Sequence, residues 1–299
     1  MTTSSNFDRL MDRVSAGEGL SAGDIAKLAA ASDILPLGLL ADAVRRRLHG
    51  TQVTYLRVAP CAFDRSFADA VPPAAHEIRI TGAPDTLDAA TSAVQRAKAL
   101  AGDRAVSGFS WGDVDRLAAL SGLPVSRALT DLRAAGLDAL ADVPIDTVGD
   151  IEAALQSLTA AGFHQLRLTI AQAPAAERTA LLLGAAALQA QHACIRAINP
   201  LPSVLHPLRP TTGYEDVKAV AIARLAAQNI STVQVDWLRY GPKLAQVALT
   251  FGADDLDEVS ASDEAPDGRR RAPLEEVRRN IEAAGFCPAE RDGRFNAVA

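Results

Sequence analysis

A chain of 299 residues with 36 acidic and 30 basic side chains, net charge −6, lacks the basic face that nucleic acid demands. Apolar residues make up 48% and charged ones 22%, which excludes a disordered chain, a collagen and a coiled coil. At this length, one large domain or two modest ones, folding hides roughly 75% of the unfolded surface, so no staple is required.

The first fifty residues read as three helices. Phe7, Leu10, Met11 and Val14 fall at helical spacing, and Ser21 with Asp24 spells a capping box before Ile25 and Leu28. Leu37 to Leu48 repeats the pattern and ends on Arg45, Arg46 and Arg47, cations suited to a helix C-terminus. These three helices predict a cap, residues 1–50. From residue 51 the period changes. Strands are expected at Val53–Val58, Glu77–Ile80, Ala105–Phe109, Gln165–Ile170, Cys194–Ile198 and Thr232–Trp237, with weaker candidates at Asp138–Val143 and Asp255–Val259. Helices are expected at Thr86–Ala101, Gly112–Leu120, Val125–Ala135, Val148–Ala161, Ala175–Gln191, Tyr214–Ala227 and Pro242–Phe251. Short strands alternating with helices mean right-handed βαβ units and a parallel sheet. Six to eight such units predict a (β/α)8 TIM-type barrel over residues 51–259. Residues 260–299 then hold a charged linker, a helix at Leu274–Ala284 and a short tail.

The run Asp254 to Arg271 is acidic first and basic last, and reads as a solvated, self-neutralising loop. The most apolar stretch, Ala180 to Ala190, contains Gly184 and is too short to cross a bilayer, which needs about 20 residues. Met1 to Asn6 is polar and short, so no signal segment is expected. The three cysteines, Cys61, Cys194 and Cys287, are odd in number and far apart, which points to a reduced, cytoplasmic compartment.

Several short patterns invite chemistry. Gly108-Phe109-Ser110-Trp111-Gly112 matches the nucleophile-elbow spelling between a strand and a helix. Asp113 lies three positions after Ser110, which makes an ordinary helix cap the better reading. Asp254, Asp255 and Asp257 have the oxygen chemistry of a Mg2+ site, but a polar loop explains them as well. The five histidines show no HxH or HExxH spacing, so no metal site is expected. His206 lies between a strand and a helix and is a candidate. No dinucleotide fingerprint and no phosphate-binding loop occurs. Asp236, Trp237, Arg239 and Tyr240 follow the seventh expected strand, where barrel sites are built. Trp and Tyr offer flat faces for a ring, and Arg239 pairs with carboxylates.

An ordered series in the C-terminal third carries a resemblance: Thr212-Gly213-Tyr214-Glu215-Asp216, Ala221-Ile222-Ala223-Arg224-Leu225, Val235-Asp236-Trp237, Gly241-Pro242-Lys243-Leu244-Ala245-Gln246 and Phe251-Gly252-Ala253-Asp254-Asp255-Leu256-Asp257. It resembles the radical S-adenosylmethionine enzymes of the futalosine pathway to menaquinone, aminofutalosine synthase and cyclic dehypoxanthinyl futalosine synthase. Leu40-Ala41-Asp42-Ala43-Val44-Arg45 and Val53-Thr54-Tyr55 are similar to the family's helical lead-in and first strand. Trp111-Gly112-Asp113-Val114-Asp115-Arg116-Leu117-Ala118 is similar to its middle.

The departures are concentrated at the reaction centre. The resemblance implies a CxxxCxxC motif whose three thiolates hold a 4Fe–4S cluster that binds S-adenosylmethionine. Only Cys61 remains of it; the partner positions hold Val58 and Thr54. The loop and helix that should follow are shortened to Asp64–Ala75, so the first βα unit is expected to be truncated. The Gly-rich loop appears as Thr81-Gly82-Ala83-Pro84, and the stretch after the fifth strand as Ala171-Gln172-Ala173. The expectation is therefore a cluster-less homologue with no cofactor, binding a small molecule or a partner: a second copy or an active paralogue. Two alternatives stand beside it. One is non-radical acid–base chemistry through His206 or Asp236; the other is an active aminofutalosine synthase-like transferase with atypical cluster ligation, its missing ligands coming from elsewhere, for example Cys194.

Overall fold

The computed structural model describes residues 3–64, 71–204, 211–262, 264 and 273–298. Three helices open the chain, α1 (Thr3–Ser15), α2 (Ala22–Ala30) and α3 (Leu35–His49). Ser21 caps α2 by accepting the Asp24 amide at 3.1 Å. The cap is fastened to the barrel by hydrogen bonds from Tyr214 Oη to Ser32 O and from Lys218 Nζ to Ala31 O.

The barrel strands are β1 (Gln52–Ala62), β2 (Glu77–Thr81), β3 (Ala105–Ser110), β4 (Ala139–Pro144), β5 (Leu166–Ile170), β6 (Ile195–Pro202), β7 (Thr232–Asp236) and β8 (Asp255–Ser260). They pair in parallel in chain order, and β1 closes on both β2 and β8. The fold is a closed eight-stranded (β/α)8 barrel, as the alternation of elements implies. Between the strands run α4 (Leu87–Ala101), α5 (Trp111–Leu120), α6 (Val125–Ala135), α7 (Ile151–Ala160), α8 (Ala175–His192), α9 (Gly213–Ala226) and α10 (Trp237–Thr250). No helix separates β1 from β2 among the described residues.

Alternation along the strands decides where the core lies. Ile78, Val106, Leu168, Ile198, Val233 and Leu256 are fully buried in the apolar layer. Their strand neighbours Glu77, Arg79, Ser107, Arg167, Thr169, Gln234, Asp255 and Asp257 are buried too, on the other face. The lumen of this barrel is therefore charged, not aliphatic.

After α11 (Pro273–Ala283) the expected tail instead forms a ninth strand, β9 (Cys287–Arg291). It pairs with Gln52–Leu56, so β9 and β2 follow one another along β1. The turn beyond β9 presses into the lower end of the barrel. A Cβ on Gly293 would stand 2.6 Å from Glu77 Oε2 and 2.7 Å from Ala105 Cβ, so only glycine fits. Arg291 reaches the lumen and pairs with Asp255 at 2.6 and 2.8 Å. α10 starts five residues earlier than its pattern suggests, because Asp236 caps a first turn that Gly241 (φ +74°) and Pro242 then kink. Ala245, Ala248 and Leu249 face inward, whereas Val247 is exposed.

Candidate active site at the barrel mouth

The residues singled out after β7 do converge at the strand ends. Asp236 caps α10, accepting the Arg239 amide at 2.8 Å, and pairs with the Arg239 guanidinium at 2.9 Å. Tyr240 donates its hydroxyl to Pro202 O at 2.7 Å, and burial together with Asp216 pushes its pKa well up. Trp237 is 7% exposed and belongs to the apolar core. His206 lies outside the described residues.

Two further acids join this group. Between Tyr55 and Arg57 of β1, strand β8 advances from Leu256 to Val259, one residue more than its partner. This bulge, with Glu258 at φ +58°, turns two consecutive acids to the same guanidinium. Arg79 meets Asp257 at 3.1 Å and Glu258 at 2.9 Å. Glu258 lies close enough for its charge to act on Asp236. Asp142, at the end of β4, carries a carboxyl that burial pushes up against the pull of Arg79, Arg239 and Arg167. The mouth thus gathers three carboxyls (Asp142, Asp236, Glu258) and three guanidiniums (Arg79, Arg167, Arg239). Neither Glu258 nor Asp142 is marked by any local motif. The acidic run alone hinted at Glu258.

Burial first, and the Glu258 charge second, push the Asp236 carboxyl up to about 7, against the opposing pull of Arg239. In the unfolded chain this group titrates near its ordinary 3.8. The native state therefore binds the extra proton between those values, and this contribution is lost as pH rises through about 7. The difference in stability between wild type and Asp236→Asn, which keeps the cap, is expected to shift against wild type by on the order of 2 kcal/mol between pH 5 and 8. Urea melts across that range measure it; a pH-independent difference would refute the upward push on Asp236.

The acidic trio is not a loop. Asp255 and Asp257 are lumen residues of β8, and Asp254 precedes the strand. Asp254 is bonded by Arg224 and by the Val233 amide, Asp255 by Arg291, and Asp257 by Arg79 and Arg167. Three arginines hold the Asp257 carboxyl well below its usual range although burial alone would raise it. Their oxygens are spent on guanidiniums, which explains the acids without Mg2+. Among the described residues no group of three or more His, Cys, Asp or Glu is placed to hold a metal ion.

The cluster-motif positions fail on geometry. Thr54, Val58 and Cys61 all lie within β1, a continuous strand. At about 3.3 Å per residue, 54 and 58 stand about 13 Å apart and 58 and 61 about 10 Å. Thr54 faces the lumen, bonded to Asp255 Oδ1, and Val58 shares its face by parity. Cys61 is on the opposite face, where Arg96 of α4 acts on it, and burial pushes its thiol up. Cys194 precedes β6 and Cys287 begins β9, at the other ends of the strands from Cys61. Cys61 and Cys194 are thus not brought together. After β5, the amides of Ala171, Gln172 and Ala173 all donate to the Asp146 carboxylate at 2.7–2.8 Å. Ser110 is the cap its spacing suggested: it accepts the Asp113 amide at 3.1 Å and its own amide bonds Asp113 at 2.9 Å.

Comparison with known proteins agrees with the resemblance. Residues 201–298 match the CofH/MqnC C-terminal region. A 5-amino-6-(D-ribitylamino)uracil--L-tyrosine 4-hydroxyphenyl transferase of Archaeoglobus fulgidus is 38% identical over 95 residues, 29% of this chain and 27% of that protein. The aminodeoxyfutalosine synthase of Streptomyces coelicolor is 37% identical over 93 residues, 29% of this chain and 24% of that enzyme. A second transferase, from Methanosarcina barkeri, is 28% identical over 232 residues, 64% of this chain and 60% of its own. The first two matches thus span only about a quarter of those relatives' length. Among solved structures, methylornithine synthase shares the fold at a TM-score of 0.66 and 15% identity, covering 94% of this chain and 97% of that one.

Proposed function

We propose that this chain, whose residues 201–298 form a CofH/MqnC C-terminal region on a (β/α)8 barrel, is a cluster-less, cytoplasmic homologue of the futalosine-pathway enzymes. It binds a small molecule at the barrel mouth and carries out no radical step. One observation supports this above the others: the positions for the three cluster thiolates run along a regular strand and point to opposite faces. The polar mouth is nonetheless elaborate, with Asp142, Asp236, Glu258 and Arg239 gathered at the strand ends. A ring-bearing ligand of the aminodeoxyfutalosine or aromatic-acid class fits these donors and acceptors.

Titration with such nucleosides and acids, followed by tryptophan fluorescence, tests the reading. A saturating change is expected that Trp237→Phe abolishes and Trp111→Phe leaves in place. Arg239→Gln should weaken binding about tenfold, the worth of one charge-assisted hydrogen bond. A signal unchanged by Trp237→Phe would move the site to Trp111 and refute this placement.

A second reading, acid–base catalysis without radicals, is favoured by Asp236, whose carboxyl burial and the Glu258 charge push up to about 7. Association with a second copy or a paralogue is proposed on a different ground. Leu238 and Val247 of α10 are 76% and 46% exposed, and Leu35 and Leu39 of α3 are 69% and 59% exposed. Light scattering is expected to give a species larger than one chain, alone or with added paralogue. A clean monomer in both would refute the association and leave the readings at the barrel mouth.

A further inference from the structure

A separate cavity of about 440 Å3 opens on the outside of the barrel between α2, α8 and α9. None of Asp142, Asp236, Arg239 or Glu258 lines it. α8, 18 residues long, begins after Pro174 with no side-chain cap. The amides of Ala175 and Ala176 therefore bring the positive end of its dipole to the cavity wall. By contrast α9 closes its own start with a Thr212–Glu215 capping box.

An independent signal comes from Arg178, which also lines the cavity. Its Nε donates to Ala173 O at 2.9 Å, drawing the guanidinium back toward the start of α8. Arg178 is 4% exposed, yet its Nη1 has no hydrogen-bond partner. A buried guanidinium in that state lacks its anion. Asp216, whose charge acts on Arg178, does not meet it: neither Arg178 Nη1 nor Asp216 Oδ1 has a hydrogen-bond partner. Lys218 adds a second cation on the facing helix, while Leu182, Ala219 and Ile222 make an apolar wall.

We propose that this cavity binds a small organic anion, with a carboxylate or phosphate head at the start of α8 beside Arg178. Its ring-sized apolar body lies on Leu182, Ala219 and Ile222. Benzoate, phenyl phosphate, inorganic phosphate and benzyl alcohol, titrated into the 15N-labelled full chain, test this. Benzoate or phenyl phosphate is expected to shift the amides of residues 175–179 saturably, at least tenfold more tightly than neutral benzyl alcohol. Comparing the two ring anions assigns the head group, and inorganic phosphate measures what the head binds without a body. Arg178→Gln should weaken the ring anions at least fivefold. Because that variant removes a buried side chain, Ala219→Phe serves as a second test, filling the cavity and abolishing saturation while the thermal melt stays cooperative. Shifts that never saturate, that appear at Asp236 and Arg239 instead, or that persist in Ala219→Phe would overturn the proposal.

Discussion

Arg79→Met is expected to destabilise the protein by about 3–5 kcal/mol, the range for removing one partner of a buried ion network. Arg79 is 6% exposed and bonds Glu77 at 2.6 Å, Asp257 at 3.1 Å and Glu258 at 2.9 Å. Without it three carboxylates face each other across the lumen, with Arg167 and Arg291 as the nearby cations for Asp257 and Glu77. Glu77 is poorly placed to adapt, since its Oε2 already lacks a partner and abuts Gly293. The exposed pair Arg127–Asp131 sits at 2.9 Å, a similar distance, with Arg127 65% exposed. Its loss should cost under about 1 kcal/mol, because water screens it and competes for its hydrogen bonds. Urea denaturation of both single variants measures the contrast. Asp257→Asn in the Arg79→Met background should recover part of the loss by removing one of the stranded charges. Equal effects from the two arginines would show that the lumen is wetter than its burial indicates.

That charged lumen also explains which parts of the fold were legible in the sequence. β2, Glu-Ile-Arg-Ile-Thr, alternates cleanly and reads as a strand, because Ile78 and Ile80 pack outward on the helices. The same period says nothing about what Glu77 and Arg79 meet, since their partners come from β3, β5 and β8. β8 reads only weakly for the same reason: Asp-Leu-Asp-Glu-Val-Ser resembles a solvated run until Arg79, Arg167 and Arg291 arrive from elsewhere in the chain. Its bulge, which aims Glu258 into the mouth, depends on the count of residues in β1 and leaves no local mark. β9 was missed because Cys-Pro-Ala-Glu-Arg has no apolar alternation and gains its place by pairing with Gln52–Leu56, about 235 residues away. Asp236 and Arg239 were legible because a strand end followed by a helix cap is a local pattern. Asp142 was not, since nothing next to it in sequence shares its site.

Anaerobic reconstitution with iron and sulfide is expected to leave the chain far below one cluster per molecule, with no broad visible charge-transfer band. The stronger form of this prediction concerns the variant that restores the motif on paper. Thr54→Cys with Val58→Cys recreates CxxxCxxC ahead of Cys61, so a reading based on spelling alone expects a cluster to return. The strand forbids it. Thr54 is paired with Asp255 and Ala289 and Val58 with Glu77 and Ser260, on both sides of β1, while Cys61 is paired on one side, with Ile80. Three thiolates on one cluster need a loop that curls back on itself, whereas here the outer two lie about 23 Å apart along an extended backbone. Melting β1 to gather them would break its pairing with β2, β8 and β9 together, and with it the closure of the barrel. Iron, sulfide and the visible spectrum of the double variant should therefore match wild type, and its circular dichroism should remain that of a folded barrel. Near-stoichiometric cubane iron in either protein would overturn the geometric argument, and would show that β1 opens at its C-terminal end when iron and sulfide are present.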